Sequence, residues 1–233
     1  MRHLSLRLDG VPPLGRREAP PEFLELPPRT SKPRRAGITH VLDRGLSPLA
    51  LESLLITAGE HIDLIKLGWG TAYVSGAVAE KVAICRASDI ALCPGGTLLE
   101  IAVAQGKFHD YVDWLHGLGI DHVEVSNGSP PMAAERKAEL ISRLAGEFTV
   151  ISEVGSKSAA DAVPGDWCDE MLRDLASGAA LVIAEGRESG TVGLFDSTGD
   201  LGNIGAEDVI ALETLRRGLR DAEKAKPREP VTV

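Results

Sequence analysis

The sequence predicts a parallel α/β fold, and three observations carry that reading. Six short apolar runs are each followed by a stretch with helical spacing, and such alternation implies a parallel sheet with crossover helices. Glycine-rich and polar turns follow the C-terminal ends of these runs, where parallel α/β folds build their sites. Four of the runs close on a carboxylate: Asp43, Glu124, Glu153 and Glu185, with Gly45, Gly128, Gly155 and Gly186 close behind. A carboxylate at the end of a buried strand is costly unless it is paired, hydrogen-bonded or bound to metal. Four of them point to a shared polar site.

The elements follow in order. Ile38 to Asp43 is the first strand, and Pro48 to Gly59 a helix with Leu49, Leu51, Leu54 and Leu55 apolar. Ile62 to Leu67 is the second strand, closed by Gly68-Trp69-Gly70-Thr71, and a helix from Ala77 to Ala87 leads to a third at Ile90 to Cys93. Helical sequence fills Leu98 to Leu118 before the strand at His122 to Glu124. Met132 to Leu144 is amphipathic, with Ile141 and Leu144 on one face and Arg136, Lys137 and Glu139 on another. Val150 to Glu153 is the fifth strand, Trp167 to Ala176 a helix and Ala180 to Ala184 the sixth strand. Beyond Asp196 there is one doubtful seventh strand and a last helix, Asp208 to Leu219. A closed barrel needs eight strands.

The chain of 233 residues, 43% hydrophobic and 25% charged, is long enough for one sizeable core. Half of its fourteen prolines precede Ala36. Residues 1–22 read as a disordered arm, with Phe23 and Leu24 docking on the body, 23–221 as one domain and 222–233 as a polar tail. A net charge of -9 argues against a nucleic-acid partner, though it leaves room for a locally basic pocket. The apolar runs are too short to span a membrane. Cys85, Cys93 and Cys168 are odd in number and form no CxxC pair, so a reducing cytoplasm is expected.

Each candidate group has a plainer alternative. Strands ~4.8 Å apart let Glu124, Glu153 and Glu185 converge on one hard cation such as Mg²⁺, or each carboxylate caps a turn or pairs with an arginine. Lys66 either holds an anion or moves a proton, or else pairs with Asp43 on the next strand. Asp43 itself could pair with Arg44. Gly95-Gly96-Thr97 offers backbone N–H groups and a hydroxyl at a helix start, for a phosphate or carboxylate, or is a tight turn. Lys157 is a candidate general acid or a solvated loop lysine. Arg187 could fork onto a carboxylate, phosphate or sulfonate, or pair with Glu188 beside it. His40 and His122 read as core groups.

Taken together, these motifs resemble the phosphosulfolactate synthase family. The matching stretches include Lys32-Pro33-Arg34, VLDRG at 41–45, IDLIKLGWGT at 62–71, PGGTLLE at 94–100, VEVSNG at 123–128, SEVG at 152–155, EGRESG at 185–190 and LETLRRGLR at 212–220. The resemblance implies a TIM-type (β/α) barrel and a Mg²⁺-dependent addition of sulfite to phosphoenolpyruvate, giving (2R)-phospho-3-sulfolactate. With that chemistry Glu124, Glu153 and Glu185 are read as the metal ring, from their strand-end positions rather than from the motif match. Lys157 matches the lysine given the general-acid role in the family, and Lys66, Arg187 and Asp43 are the further catalytic candidates. Gly95, Gly96, Thr97, Ser126, Glu188 and Ser189 would bind substrate. The partners implied are small anions and, for the chain itself, further copies in a homo-oligomer.

One departure stands out. Between Asp200 and Leu201 the family pattern carries a seventh strand ending in Glu-Ala-Pro, a helix and the start of an eighth strand, and this chain lacks them. That is about one β/α unit, ~30 or more residues. A barrel so shortened must be open, reclosed with a different shear, or closed by a partner chain. Two alternatives to the synthase activity follow. One is a family member kept as a binding or stress-associated protein, since the family includes plant heat-stress proteins. The other is a different lyase acting on a small phosphorylated acid.

Overall fold

A computed structural model describes residue 23 and residues 30–68, 70–128, 132–155 and 164–185. The expected arm, Trp69, Lys157, Arg187, Glu188, Ser189, the doubtful seventh strand, the last helix and the tail lie outside the described residues. Phe23 is 81% exposed, so the docking expected of it is not seen.

Among the described residues five β/α units and a sixth strand follow one another, as the alternation of the sequence requires. They run β1 (His40–Asp43), α1 (Pro48–Ala58), β2 (Leu64–Leu67), the single turn α2 (Thr71–Val74), α3 (Val78–Ala87), β3 (Ala91–Pro94), α4 (Gly96–Ala104) and α5 (Phe108–Leu118). Then come β4 (His122–Val125), α6 (Ala134–Leu144), β5 (Thr149–Val154), α7 (Pro164–Ala176) and β6 (Leu181–Ala184). α1 starts as its sequence dictates: Ser47 accepts a hydrogen bond from the Ala50 N–H at 3.2 Å, and Pro48 supplies a preset φ at the first helical position. The long helix expected over Leu98 to Leu118 is two helices. Gly106, at φ 70°, takes the left-handed conformation that ends one helix before the next begins.

All strands pair in parallel, in two three-stranded sheets of order β1-β2-β3 and β4-β5-β6. The strands curl as a barrel wall does. In a flat six-stranded sheet β2 and β5 would lie roughly 14 Å apart, yet Lys66 of β2 touches Glu153 of β5 at 2.5 Å. Among the described residues the wall is not closed: β3 and β4 abut without a ladder, and β1 and β6 are the outer strands.

Alternation along each strand divides the side chains between two layers. Ile65, Leu67, Leu92, Val123, Val125 and Val150 face the helices in the main core, which α4 and α5 carry across the β3–β4 boundary through Leu99, Tyr111 and Leu115. Leu64, Cys93 and Ile151 form a smaller inner cluster against Ala91, Leu181 and Ile183. The three cysteines are buried and form no disulfide among the described residues. No helix among the described residues is long and apolar enough to cross a membrane.

Candidate active site

The inner row that carries Leu64 and Ile151 continues, two residues later on each strand, as Lys66 and Glu153. With Glu124 of β4 these residues meet above the inner apolar cluster, at the C-terminal ends of the strands. Lys66 Nζ lies 2.8 Å from Glu124 Oε1 and 2.5 Å from Glu153 Oε2. Glu124 Oε1 also accepts the Gly96 N–H at 2.8 Å. Side-chain exposure is 14% for Lys66, 11% for Glu153 and 1% for Glu124, so little water screens the three charges. The expectation that Lys66 pairs with Asp43 is not met, because the two residues face opposite sides of the wall.

Burial raises the Glu124 carboxyl first, and the Glu153 charge adds to it. Lys66 and the Gly96 N–H oppose that rise, leaving Glu124 pushed up to about 7. For Lys66, burial favours the neutral amine, but the two glutamates outweigh it and hold the ammonium charged well into alkaline pH. His40, on the inner face of β1, is lowered by burial and then by the Lys66 charge, against a smaller pull from Glu153. Burial also drives the Cys93 thiol well above its usual range, which makes it an unreactive neighbour.

Gly95 and Gly96 are held within the fold. The Gly95 N–H donates to the Leu67 carbonyl at 2.9 Å, and that of Gly96 is engaged by Glu124. Thr97 follows at the start of α4. The glycine at 96 is a packing requirement, since a Cβ there would stand 2.1 Å from Ser126 Oγ and 2.8 Å from the Ser126 nitrogen. Gly96→Ala is expected to destabilise the fold by about 1–3 kcal/mol in urea unfolding and to lengthen the contact with Glu124. Ser126 is 4% exposed, and its hydroxyl donates to Glu100 Oε1, which also accepts the Gly128 N–H at 2.8 Å. Glu100 was not singled out from the sequence. Its position in α4, one turn after the glycines, was the available signal.

Asp43 does not join this group. Its side chain points to the helix layer, where Oδ2 meets Lys81 of α3 at 2.7 Å and Oδ1 accepts the N–H groups of Gly45 and Leu46 at 2.8 and 2.7 Å. Asp43 is 0% and Lys81 1% exposed, the burial of a structural ion pair that fixes the turn after β1. Glu185 follows β6, and its N–H donates to the Val154 carbonyl at 2.8 Å. A Cβ at Gly155 would stand 2.6 Å from the Glu185 carbonyl, so glycine lets the ends of β5 and β6 approach.

The three-carboxylate ring is not assembled among the described residues, which hold no group of three or more His, Cys, Asp or Glu placed to bind a metal ion. The ammonium of Lys66 lies between two of its members. The donor chemistry nevertheless suits a hard cation. Glu124 Oε2 is buried with no hydrogen-bond partner, an orphaned carboxylate oxygen beside a second carboxylate.

Comparison with known proteins agrees with the family that the motifs resemble. The family model described as (2R)-phospho-3-sulfolactate synthase (ComA) matches residues 27–201. The chain is 34% identical to the phosphosulfolactate synthase of Bacillus subtilis over 241 aligned positions, covering 84% of this chain and 96% of that protein. It is 36% identical to the phosphosulfolactate synthase of Methanothermobacter thermautotrophicus, covering 83% and 93%, and 35% identical to that of Methanocaldococcus jannaschii, covering 79% and 92%. The Bacillus alignment is longer than this chain although only part of the chain takes part, so that relative carries a stretch with no counterpart here. The chain belongs to the phosphosulfolactate synthase family.

Proposed function

We propose that this chain joins sulfite to phosphoenolpyruvate to give (2R)-phospho-3-sulfolactate, with Mg²⁺ as cofactor. The sulfur lone pair of sulfite forms a C–S bond to the methylene carbon. The π electrons of the double bond move into the carboxylate as an enolate, and a proton delivered to the adjacent carbon completes the product. No oxidant is needed and the phosphate ester stays intact.

The observation that carries this reading is the Lys66–Glu124–Glu153 assembly at the strand ends of a chain from this family. With both glutamates ionised it holds one positive and two negative charges, the wrong sign for two anionic substrates. A divalent cation held by Glu124, Glu153 and Glu185 would offset their three negative charges, bringing the assembly with Lys66 to neutrality, and would stabilise the charge that develops on the substrate carboxylate. Lys66 keeps the two glutamates from repelling each other and lends its charge to the bound anion. Lys157 supplies the proton, Arg187 forks onto phosphate or sulfite, and Ser126, Gly95, Gly96, Thr97, Glu188 and Ser189 line the substrate.

The competing reading, a family member without this activity, is favoured by the gap relative to the Bacillus synthase. Incubating the purified chain with phosphoenolpyruvate, sulfite and Mg²⁺, with ³¹P NMR and mass detection of the product, separates the two. Product is expected, with a loss of at least about 100-fold in Lys157→Ala and Glu153→Gln. A folded protein that gives no product and does not bind Mg²⁺ would overturn the proposal.

A further inference from the structure

Lys137 of α6 is 1% exposed, an unusual place for a lysine. Its ammonium reaches three oxygens, matching its three N–H donors: Glu170 Oε1 at 2.7 Å, Asp174 Oδ2 at 2.7 Å and the backbone carbonyl of Glu153 at 2.8 Å. Asp174 Oδ2 also accepts the hydroxyl of Ser152, which is 0% exposed. Two adjacent residues of β5 are thereby held from behind, Ser152 through its side chain and Glu153 through its main chain.

The register explains why a clamp is needed there. β4 pairs with β5 only as far as Val125 opposite Ser152. Glu153 lies one residue past the end of β4, and Lys137 takes its carbonyl where the ladder to β4 has run out. On the opposite face the Glu153 side chain reaches Lys66. The same residue therefore carries a site carboxylate on one face and a buried ammonium on its carbonyl.

We propose that Lys137, with Asp174 and Glu170, is a positioning residue for the Glu153 carboxylate, acting through the β5 backbone without touching substrate. The proposal rests on the synthase reading for its kinetic consequence, and on the register alone for its mechanical one. A ligand carboxylate displaced by an ångström can cost a hundredfold in rate, whereas a lysine that only stabilises the fold would leave the folded enzyme's turnover alone.

The test compares Lys137→Gln with Asp63→Asn. The latter breaks a pair with Arg34 (2.8 Å) at the N-terminal ends of the strands, remote from the site. Lys137→Gln is expected to lower kcat by roughly ten- to a hundredfold with KM for phosphoenolpyruvate within about threefold. Asp63→Asn is expected to lower the unfolding midpoint and leave kcat unchanged. A Lys137→Gln enzyme with wild-type kcat overturns the proposal. If the variant does not fold, Ser152→Ala replaces it, with an expected fall in kcat of about threefold at constant KM; unchanged kcat there overturns it too. If the wild type makes no product, the synthase reading is judged by Mg²⁺ binding as above and the clamp separately, by amide exchange in the same variants. Faster exchange at Val154, Gly155 and Glu185 with β2 unchanged supports it, and uniform exchange overturns it.

Discussion

Lys66→Met is expected to lower turnover of phosphoenolpyruvate and sulfite by about 10²–10³-fold, the scale of losing one preorganised charged donor. It is also expected to weaken the fold. The substitution keeps the stem and removes the ammonium that lies 2.8 and 2.5 Å from Glu124 and Glu153. Breaking a buried ion pair from one side costs about 3–5 kcal/mol, because the remaining charges stay out of water. Glu124 can escape part of that cost by holding a proton, and with Lys66 gone the group that opposes its raised pKa is gone too. The loss of stability should therefore be smaller at pH 5.5 than at pH 8. Urea unfolding at the two pH values, without divalent cations, reads the difference. An equal loss at both would show that Glu124 is not the group that relieves the strain.

The second large effect belongs to Glu124. An unfolded glutamate ionises near 4.5, while this one holds its proton to about 7. Between those values the folded protein binds a proton that the unfolded chain has released, so rising pH favours unfolding. In metal-free buffer, wild-type stability is expected to fall as pH rises from about 4.5 to about 7, by up to about 3 kcal/mol. Glu124→Gln cannot titrate and should flatten that slope. The same variant should lose about 10²-fold or more in synthase activity at every pH, because the amide keeps the acceptor for Lys66 and Gly96 but not the negative charge. A slope that persists in Glu124→Gln would assign the titration to another residue.

Much of this was legible in the sequence because it depends on period. Apolar runs of strand length alternating with helical spacing gave the six strands, and the carboxylates and glycine-rich turns at their C-terminal ends gave the place of the site, though not the partners of Lys66. Asp43 shows where that legibility ends. As one of four strand-end carboxylates it looks equivalent to Glu124 and Glu153, yet it lies at an odd offset from Lys66 in the β1–β2 register: Asp43 pairs with Leu67, and Leu42 pairs with Lys66. One position along a strand moved it to the helix layer, where Lys81 met it. Lys137, Glu100 and Lys81 were hidden for a different reason. On a helix a charged residue reads as solvent-facing, and only the packing of that helix against strand ends shows that its head group serves a backbone or carboxylate partner. The break of the α4–α5 stretch at Gly106 was missed because a single glycine is tolerated in helices often enough not to end one by rule.

The missing ladder between β3 and β4 has a consequence for how the protein comes apart. At the top of that seam the two half-walls are stitched by Gly96 to Glu124, Lys66 to both glutamates, and Ser126 and Gly128 to Glu100. Most of those stitches are made by the groups to which chemistry is assigned. Beside the apolar packing that α4 and α5 carry across the seam, the polar cohesion of the two halves and the competence of the site are thus written in the same few bonds. A ligand that draws these groups together should tighten the whole wall, and its binding should be visible as a rise in melting temperature before any product is measured.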